Sequence, residues 1–452
     1  MMEILHTTAA FVVAIALLVA VHEYGHFIVA RKLGIRVEKF SIGFGPALYS
    51  WRGRDGEVEY VIAAIPLGGY VKMLGENPDE QGEDAKRELS EEERARAFDV
   101  QPVWKRAAVA FAGPMFNFLF AIVAYMFIGW MGQMVLPPVI GSVAPASVAE
   151  QAGLQEGDRV LRIGNTAVHS WQQLEESLKQ AVGGGTTVEV DRGGAPVSIP
   201  VSLPKLDKDA LLVNVSNEAL GISPGITVHI DSVTAGSPAE VGGIQAGDQV
   251  LRVDNTAVQT VGDLIRYIQA RPGQPVVLEV LRNETHLRLQ VVPKAADGGV
   301  GRIGVRLVAQ SASEPQLYRM GFAEGMTYGV TRTAEMTVLT LQVVGKMITT
   351  AISPENLGGP IAIAQLAGKT AEMGLVSFVT FLALISVNLA VLNLLPVPVL
   401  DGGHLFYLGL EKIRGRPLSP ETMERTQIVG MALVVMLMVF AFYNDLMRLF
   451  RG

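Results

Sequence analysis

The chain contains no cysteine. Disulfides and thiolate-held zinc are therefore excluded, and any zinc site must be built from histidine and carboxylate. Charge is scarce as well: 18% of the 452 residues are charged against 49% hydrophobic, and the mean hydropathy is +0.33. That balance fits a chain of mixed membrane and soluble parts better than a soluble one. The net charge of -7, without a basic stripe, argues against nucleic acid as a partner. The start, Met-Met-Glu, lacks a basic n-region, and no small-x-small site follows the first apolar run, so no cleavable signal peptide is expected. Long apolar runs, by contrast, are plentiful.

The first of them holds the most informative stretch, Val21-His22-Glu23-Tyr24-Gly25-His26. Residues four apart lie on one helical face, so His22 and His26 can offer two imidazoles to one metal. Glu23 stands beside them, placed to take a proton from a water that such a metal activates. Ala9 to Val21 is unbroken apolar sequence, and ionisable groups at membrane depth point to function. Arg31, Lys32, Arg36 and Lys39 follow the span. The charge rule then puts the N-terminus outside and the motif near the cytoplasmic end, with His22 about 14 Å along the helix from Arg31.

After this span (1–32) comes a β-rich region on the cytoplasmic side with an acidic loop (33–103). Glu57 to Leu74 reads as two short strands around a turn at Pro66-Leu67-Gly68-Gly69. It is either an ordinary hairpin or an edge strand dipping into the membrane to pair with an extended substrate. Glu76 to Asp99 reads as a solvated loop with a short helix. A second span (104–134) carries Phe111-Ala-Gly-Pro-Met-Phe-Asn117, in which Gly113 permits close helix approach and Asn117 can bond across helices.

An internal repeat follows. Ile140 to Val168 aligns with Ile230 to Val258 at a constant offset of 90, with Gly153, Gly157 and Asp158 recurring as Gly243, Gly247 and Asp248. Two copies are too few for a solenoid, so two similar domains are expected, over 135–222 and 223–310. Their pattern resembles PDZ domains, which bind peptide ends or extended strands. Leu220-Gly221-Ile222 and Ile303-Gly304-Val305 are candidate carboxylate-binding turns. The stretch 311–374 includes helical apolar spacing over 330–352, interrupted by Arg332, Glu335 and Lys346, and reads as a helix lying in the interface. Pro354 and Gly358-Gly359-Pro360 break it.

A third span (375–403) carries Asn388 and Asn393 and runs into Asn393-Leu-Leu-Pro-Val-Pro-Val-Leu-Asp401-Gly402-Gly403-His404. A loop (404–425) and a fourth span (426–447) complete the chain. Four spans bring Asp401 to the same side as His22 and His26, and Asp401 is the best candidate for a third ligand. His404 is a rival ligand or a polar cap. Asn388 and Asn393 either hold the substrate backbone or oxyanion or bond helix to helix.

Together, the metal motif in the first span, the Phe-Ala-Gly-Pro-x-x-Asn segment, the tandem PDZ-like units and Asn-x-x-Pro-x-Pro-x-Leu-Asp-Gly-Gly resemble the site-2 protease family of intramembrane zinc metalloproteases. Within it, the arrangement is similar to the bacterial branch that regulates sigma-E. The expected fold class is a polytopic α-helical membrane protein with four transmembrane helices, a membrane-associated β-hairpin region and two α/β PDZ-like domains. The resemblance implies Zn2+ held by His22, His26 and Asp401, Glu23 as catalytic base, and Asn388 and Asn393 as substrate-binding residues. It also implies that Gly68-Gly69-Tyr70 lies in a membrane-reentrant β-loop that engages the substrate. The implied partners are membrane lipid and transmembrane protein substrates, such as an anti-sigma factor already trimmed by another protease, with remnant signal peptides as a second class. The implied place is the inner membrane, with the PDZ-like units periplasmic and acting as a size filter. A non-catalytic scaffold that binds peptides through those units, or a metal transporter, would be the alternatives; the intact Glu23 speaks against the first.

Overall fold

The structure is a computed structural model that describes residues 2–54, 56–76, 89–206, 214–224, 226–254, 256–258, 260–283, 285–296, 299–311, 313–349 and 358–451. The chain divides into two compact units, Met1–Gln133 with Arg319–Gly452, and Met134–Tyr318.

The first unit contains, in chain order, α1 (Met2–Lys32), β1 (Val37–Arg52), β2 (Glu59–Met73), α2 (Glu91–Ala95), α3 (Val103–Met131), α4 (Phe322–Ile348), α5 (Pro360–Glu372), α6 (Leu375–Asn393), α7 (Asp401–Arg414) and α8 (Pro420–Arg451). Among the described residues, four helices are long and apolar enough to cross a membrane: Glu3–Lys32, Val103–Met131, Leu375–Asn393 and Glu421–Arg448. They overlap the four expected spans, but the third, expected over 375–403, ends at Asn393, and Asp401 opens a separate helix after the Pro396 and Pro398 loop. Helix α3 is the centre of the unit. Its Ala121, Ala124, Tyr125 and Ile128 pack with Ala383, Val387 and Val391 of α6, while Ala14 and Leu18 of α1 pack with Ala367 of α5 and with Phe381 and Leu382 of α6. Close approach of α1 to α3 depends on Gly25, where a Cβ would lie 2.5 Å from the Ala112 carbonyl oxygen.

Helix α4 begins eight residues before the expected stretch at 330–352. It lies lengthwise on α3, with Gly325 against Trp130 and Gly329 against Met126, and Thr340 donates to Asn388 of α6 at 2.8 Å. Within it, Arg332 pairs with Glu335 at 3.0 Å. Pro354 lies outside the described residues. Helix α5 opens with Pro360 at its first turn, where a missing N–H costs nothing. Buried Asp445 of α8 caps it, accepting from the N–H groups of Gly359 and Ile361 at 2.9 Å and of Ala362 at 3.2 Å.

The β region differs from the expected short hairpin. Pro66 to Gly69 is not a turn but lies inside β2, and each long strand bends into two arms. Residues 37–42 pair with 69–73 on one side and, from Lys39, with 59–62 on the other; 59–62 pair in turn with 49–52. Glycines with positive φ, Gly43 and Gly45 in β1 and Gly68 in β2, make the bends. Local turn chemistry predicted a reversal, and the glycines serve instead as kinks within a continuing strand. The arm 69–73 is an edge, with one partner arm among the described residues. Of the expected acidic loop, residues 77–88 lie outside the described residues; the short helix is α2, closed by a capping box between Ser90 and Glu93.

The second unit contains the repeat as two copies of one element order. In the first, Val148–Ala152, Arg159–Ile163, Thr166–Ala167 and Trp171–Ala181 precede the hairpin Gly185–Arg192 with Ala195–Ser202. In the second, Pro238–Val241, Gln249–Val253, Thr256–Ala257 and Val261–Gln269 precede Val276–Arg282 with Thr285–Val291. Each copy has its own apolar core and one buried aspartate paired with an arginine: Asp158 with Arg192 and Asp248 with Arg282, both at 2.6 Å. The two candidate carboxylate-binding turns are equivalent in structure, since Gly221 and Gly304 have positive φ and a Cβ there would strike Ser147 and Ser237.

Candidate metal centre

Three side chains converge inside the first unit. On α1, His22 and His26 stand one turn apart with ring centroids at 4.9 Å. Asp401, at the first turn of α7, reaches both: Oδ2 lies 3.1 Å from Nε2 of His22 and Oδ1 lies 3.5 Å from Nε2 of His26. The two Nε2 atoms are 3.2 Å apart. Helix α7 can begin there because Gly402 and Gly403 lie against the backbone of the preceding loop. A Cβ on Gly402 would be 2.3 Å from the Leu395 oxygen, and one on Gly403 2.4 Å from the Val397 oxygen.

These separations suit zinc. Four ligands at about 2.0–2.1 Å in a tetrahedron leave edges of about 3.3 Å; the two Nε2 atoms are 3.2 Å apart, and each has a carboxylate oxygen of Asp401 nearby, Oδ2 at 3.1 Å from His22 and Oδ1 at 3.5 Å from His26. Asp401 Oδ2 is buried and, despite its nearness to His22, makes no hydrogen bond; lone pairs aimed at a common centre would leave it so. Two imidazoles and one carboxylate are also the donor set that a chain without thiols can offer. Among the described residues, these three form the metal-capable cluster, with all donor atoms within 4.8 Å.

The two histidines are held from behind. Nδ1 of His26 lies 2.8 Å from the Val109 carbonyl oxygen. Nδ1 of His22 lies 3.1 Å from the carboxamide of Asn117, which is fully buried. Both partners come from α3. Gly113, on the same helix, brings it close: a Cβ there would be 2.2 Å from His26 Nε2.

The centre opens on a cavity of about 990 Å³ lined by His22, Glu23, His26 and Asp401, by Gly69 and Tyr70 of the edge arm, and by Asn393. Glu23 is pressed by the β-sheet, since a Cβ on Gly69 would lie 2.9 Å from its Cγ. The expected substrate-binding residues thus separate. Asn393 approaches Nε2 of His22 at 3.4 Å, and Gly69 and Tyr70 line the cavity. Asn388 is turned to Thr340, and Gly68 packs on Phe44. His404 lines the cavity but lies outside the donor cluster. The residue that sequence reasoning left as helix packing is Asn117. Its approach to His22 spans 95 positions, and the only local sign is a polar residue one turn beyond Gly113 in an apolar run.

Comparison with known proteins agrees with this geometry. The model of peptidase family M50 matches residues 10–437. A Ralstonia nicotianae protein carrying a zinc-metalloprotease name is 40% identical over 460 residues, covering 98% of this chain and 99% of its own. Protease RseP of Yersinia pestis is 39% identical over 468 residues, covering 99% and 100%. The regulator of sigma-E protease RseP of Escherichia coli is 38% identical over 463 residues, again covering 99% and 100%. Among solved structures, the PDZ domain of an SdrC-like protein from Listeria monocytogenes matches 18% of this chain and 86% of its own at 24% identity, with a TM-score of 0.17. The chain belongs to peptidase family M50 and is a site-2-type zinc metalloprotease.

Proposed function

We propose that this protein hydrolyses peptide bonds within the transmembrane segments of single-span membrane proteins that another protease has already trimmed. An anti-sigma factor of an envelope-stress pathway is the first substrate class, as the names of its relatives suggest, and remnant signal peptides are the second. The observation that carries this reading is the convergence of His22, His26, Asp401 and Glu23 on one cavity among helices apolar enough to cross a membrane.

Zinc bound by His22, His26 and Asp401 would acidify water and polarise the scissile carbonyl. Glu23 takes the proton of the attacking water and delivers it to the leaving amine nitrogen. Asn393, beside His22, binds a backbone or oxyanion group of the substrate. A transmembrane helix has every N–H and C=O bonded internally, so it must unwind before cleavage. The edge arm 69–73 offers unpaired backbone groups beside Glu23, and an extended segment can pair there. The positive residues after α1 favour a site near the cytoplasmic face of the inner membrane, with the repeated units periplasmic, where they would refuse substrates with bulky outer domains.

The test uses the protein reconstituted in lipid with a single-span substrate in two forms, with and without its outer domain. Cleavage of the trimmed form alone, and of both forms once residues 135–310 are deleted, is the expected result. Equal cleavage of both forms by the full chain would contradict the filter.

A further inference from the structure

We infer that Asn117 is a positioning residue for the metal centre, and that it acts by accepting a hydrogen bond from Nδ1–H of His22 through its carboxamide oxygen. The inference rests on the zinc reading above.

Two observations carry it. The Nε2 atoms of His22 and His26 both face Asp401. A neutral imidazole that offers Nε2 to a metal keeps its proton on Nδ1, and a buried N–H without an acceptor is costly. His26 meets this need with the Val109 carbonyl. His22 has Asn117 within reach of Nδ1. With its amide nitrogen toward His22, Asn117 would set a donor against a donor at this contact; with its carboxamide oxygen there, it accepts from Nδ1–H. Amide orientation is assigned from such networks. Asn117 is itself fixed, being fully buried, with its backbone oxygen accepting from Ser386 Oγ of α6 at 2.9 Å. Helices α1, α3 and α6 are thereby linked through one residue to a single ligand ring.

The role requires an acceptor, and this separates it from packing. Asn117→Asp keeps an acceptor of the same shape; Asn117→Leu keeps the volume and removes it. Zinc affinity of the full chain in detergent is measured by competition with a colorimetric chelator, with helicity by circular dichroism as a check on folding. Loss of an outer partner of a metal-bound histidine weakens metal binding by about 10–100-fold. That loss is expected for Asn117→Leu, while Asn117→Asp stays within about threefold of the parent. Leucine matching the parent, or aspartate falling as far as leucine, would each overturn the inference. Should the leucine variant not fold, the imidazole 15N spectrum of the parent decides. The two histidines that respond to zinc should both show metal at Nε2 and a proton at Nδ1; metal at Nδ1 of either overturns it. A parent that binds no zinc would instead defeat the underlying reading, and the two failures are distinct.

Discussion

Gly113 lies directly against His26: a Cβ at position 113 would stand 2.2 Å from the ring Nε2 and 2.8 Å from Cε1 of His22. A glycine of α3 therefore sets how closely that helix can approach both histidines. In a packed core such an insertion costs about 1–3 kcal/mol. Gly113→Ala is expected to weaken zinc binding by about 10–100-fold while leaving helicity unchanged, and metal analysis after dialysis checks it.

Gly69 plays a parallel part at Glu23, the proposed general base. A Cβ there would lie 2.9 Å from Glu23 Cγ and 2.7 Å from the Ser41 carbonyl oxygen. Gly69→Ala should keep zinc and lose about 100-fold in turnover, since small misplacements of reacting groups cost that much. Zinc content and turnover measured on the same preparation test this; parallel loss of both would place the defect at the ligands instead.

These two glycines mark the boundary of what the sequence discloses. His22, Glu23 and His26 are legible because helical periodicity is local, and Asp401 because its Gly-Gly neighbour and its membrane side could be argued without a structure. The four spans are legible because apolar length is additive. Asn117 is not, because its meaning depends on a partner 95 positions away. Nor is the path of β2. Pro66 and Gly68 carry turn chemistry, and only pairing with two different arms of the neighbouring strand shows that Gly68 bends a strand and does not end one.

Arg106 at the start of α3 and Glu411 of α7 make a bidentate pair at 2.5 and 3.1 Å, with side chains 15% and 16% exposed. The pair ties the helix that begins with Asp401 to the helix that supports the histidines. Breaking a buried pair from one side costs about 3–5 kcal/mol, whereas apolar replacement of both partners is close to neutral. Glu411→Ala should lower the thermal midpoint markedly, and Arg106→Met with Glu411→Leu should restore most of it.

In the repeated units, stability should depend on acid. Burial works against the charge of Asp158, but the Arg192 guanidinium and the Gln155 N–H outweigh it and hold the carboxyl below its ordinary value. A carboxyl depressed in the folded state contributes stability that is fully present above its unfolded value of about 3.9. That contribution is lost as pH falls toward the folded value. Asp158→Asn should cost about 1.5–3 kcal/mol at neutral pH, and the difference from the parent should shrink as pH drops below about 4. Thermal unfolding of both proteins across that range checks the sign; a difference that grows in acid would contradict it.

The central claim is that His22, His26 and Asp401 hold one catalytic zinc with Glu23 as its base. The most direct measurement pairs zinc stoichiometry with cleavage of a trimmed transmembrane substrate for the parent, Glu23→Gln and His22→Ala. The account predicts one zinc with cleavage in the parent, and one zinc with cleavage reduced by about 100-fold or more in Glu23→Gln, the scale of general-base catalysis. His22→Ala should show neither zinc nor cleavage. Full cleavage by Glu23→Gln, or a full zinc complement in His22→Ala, would contradict it.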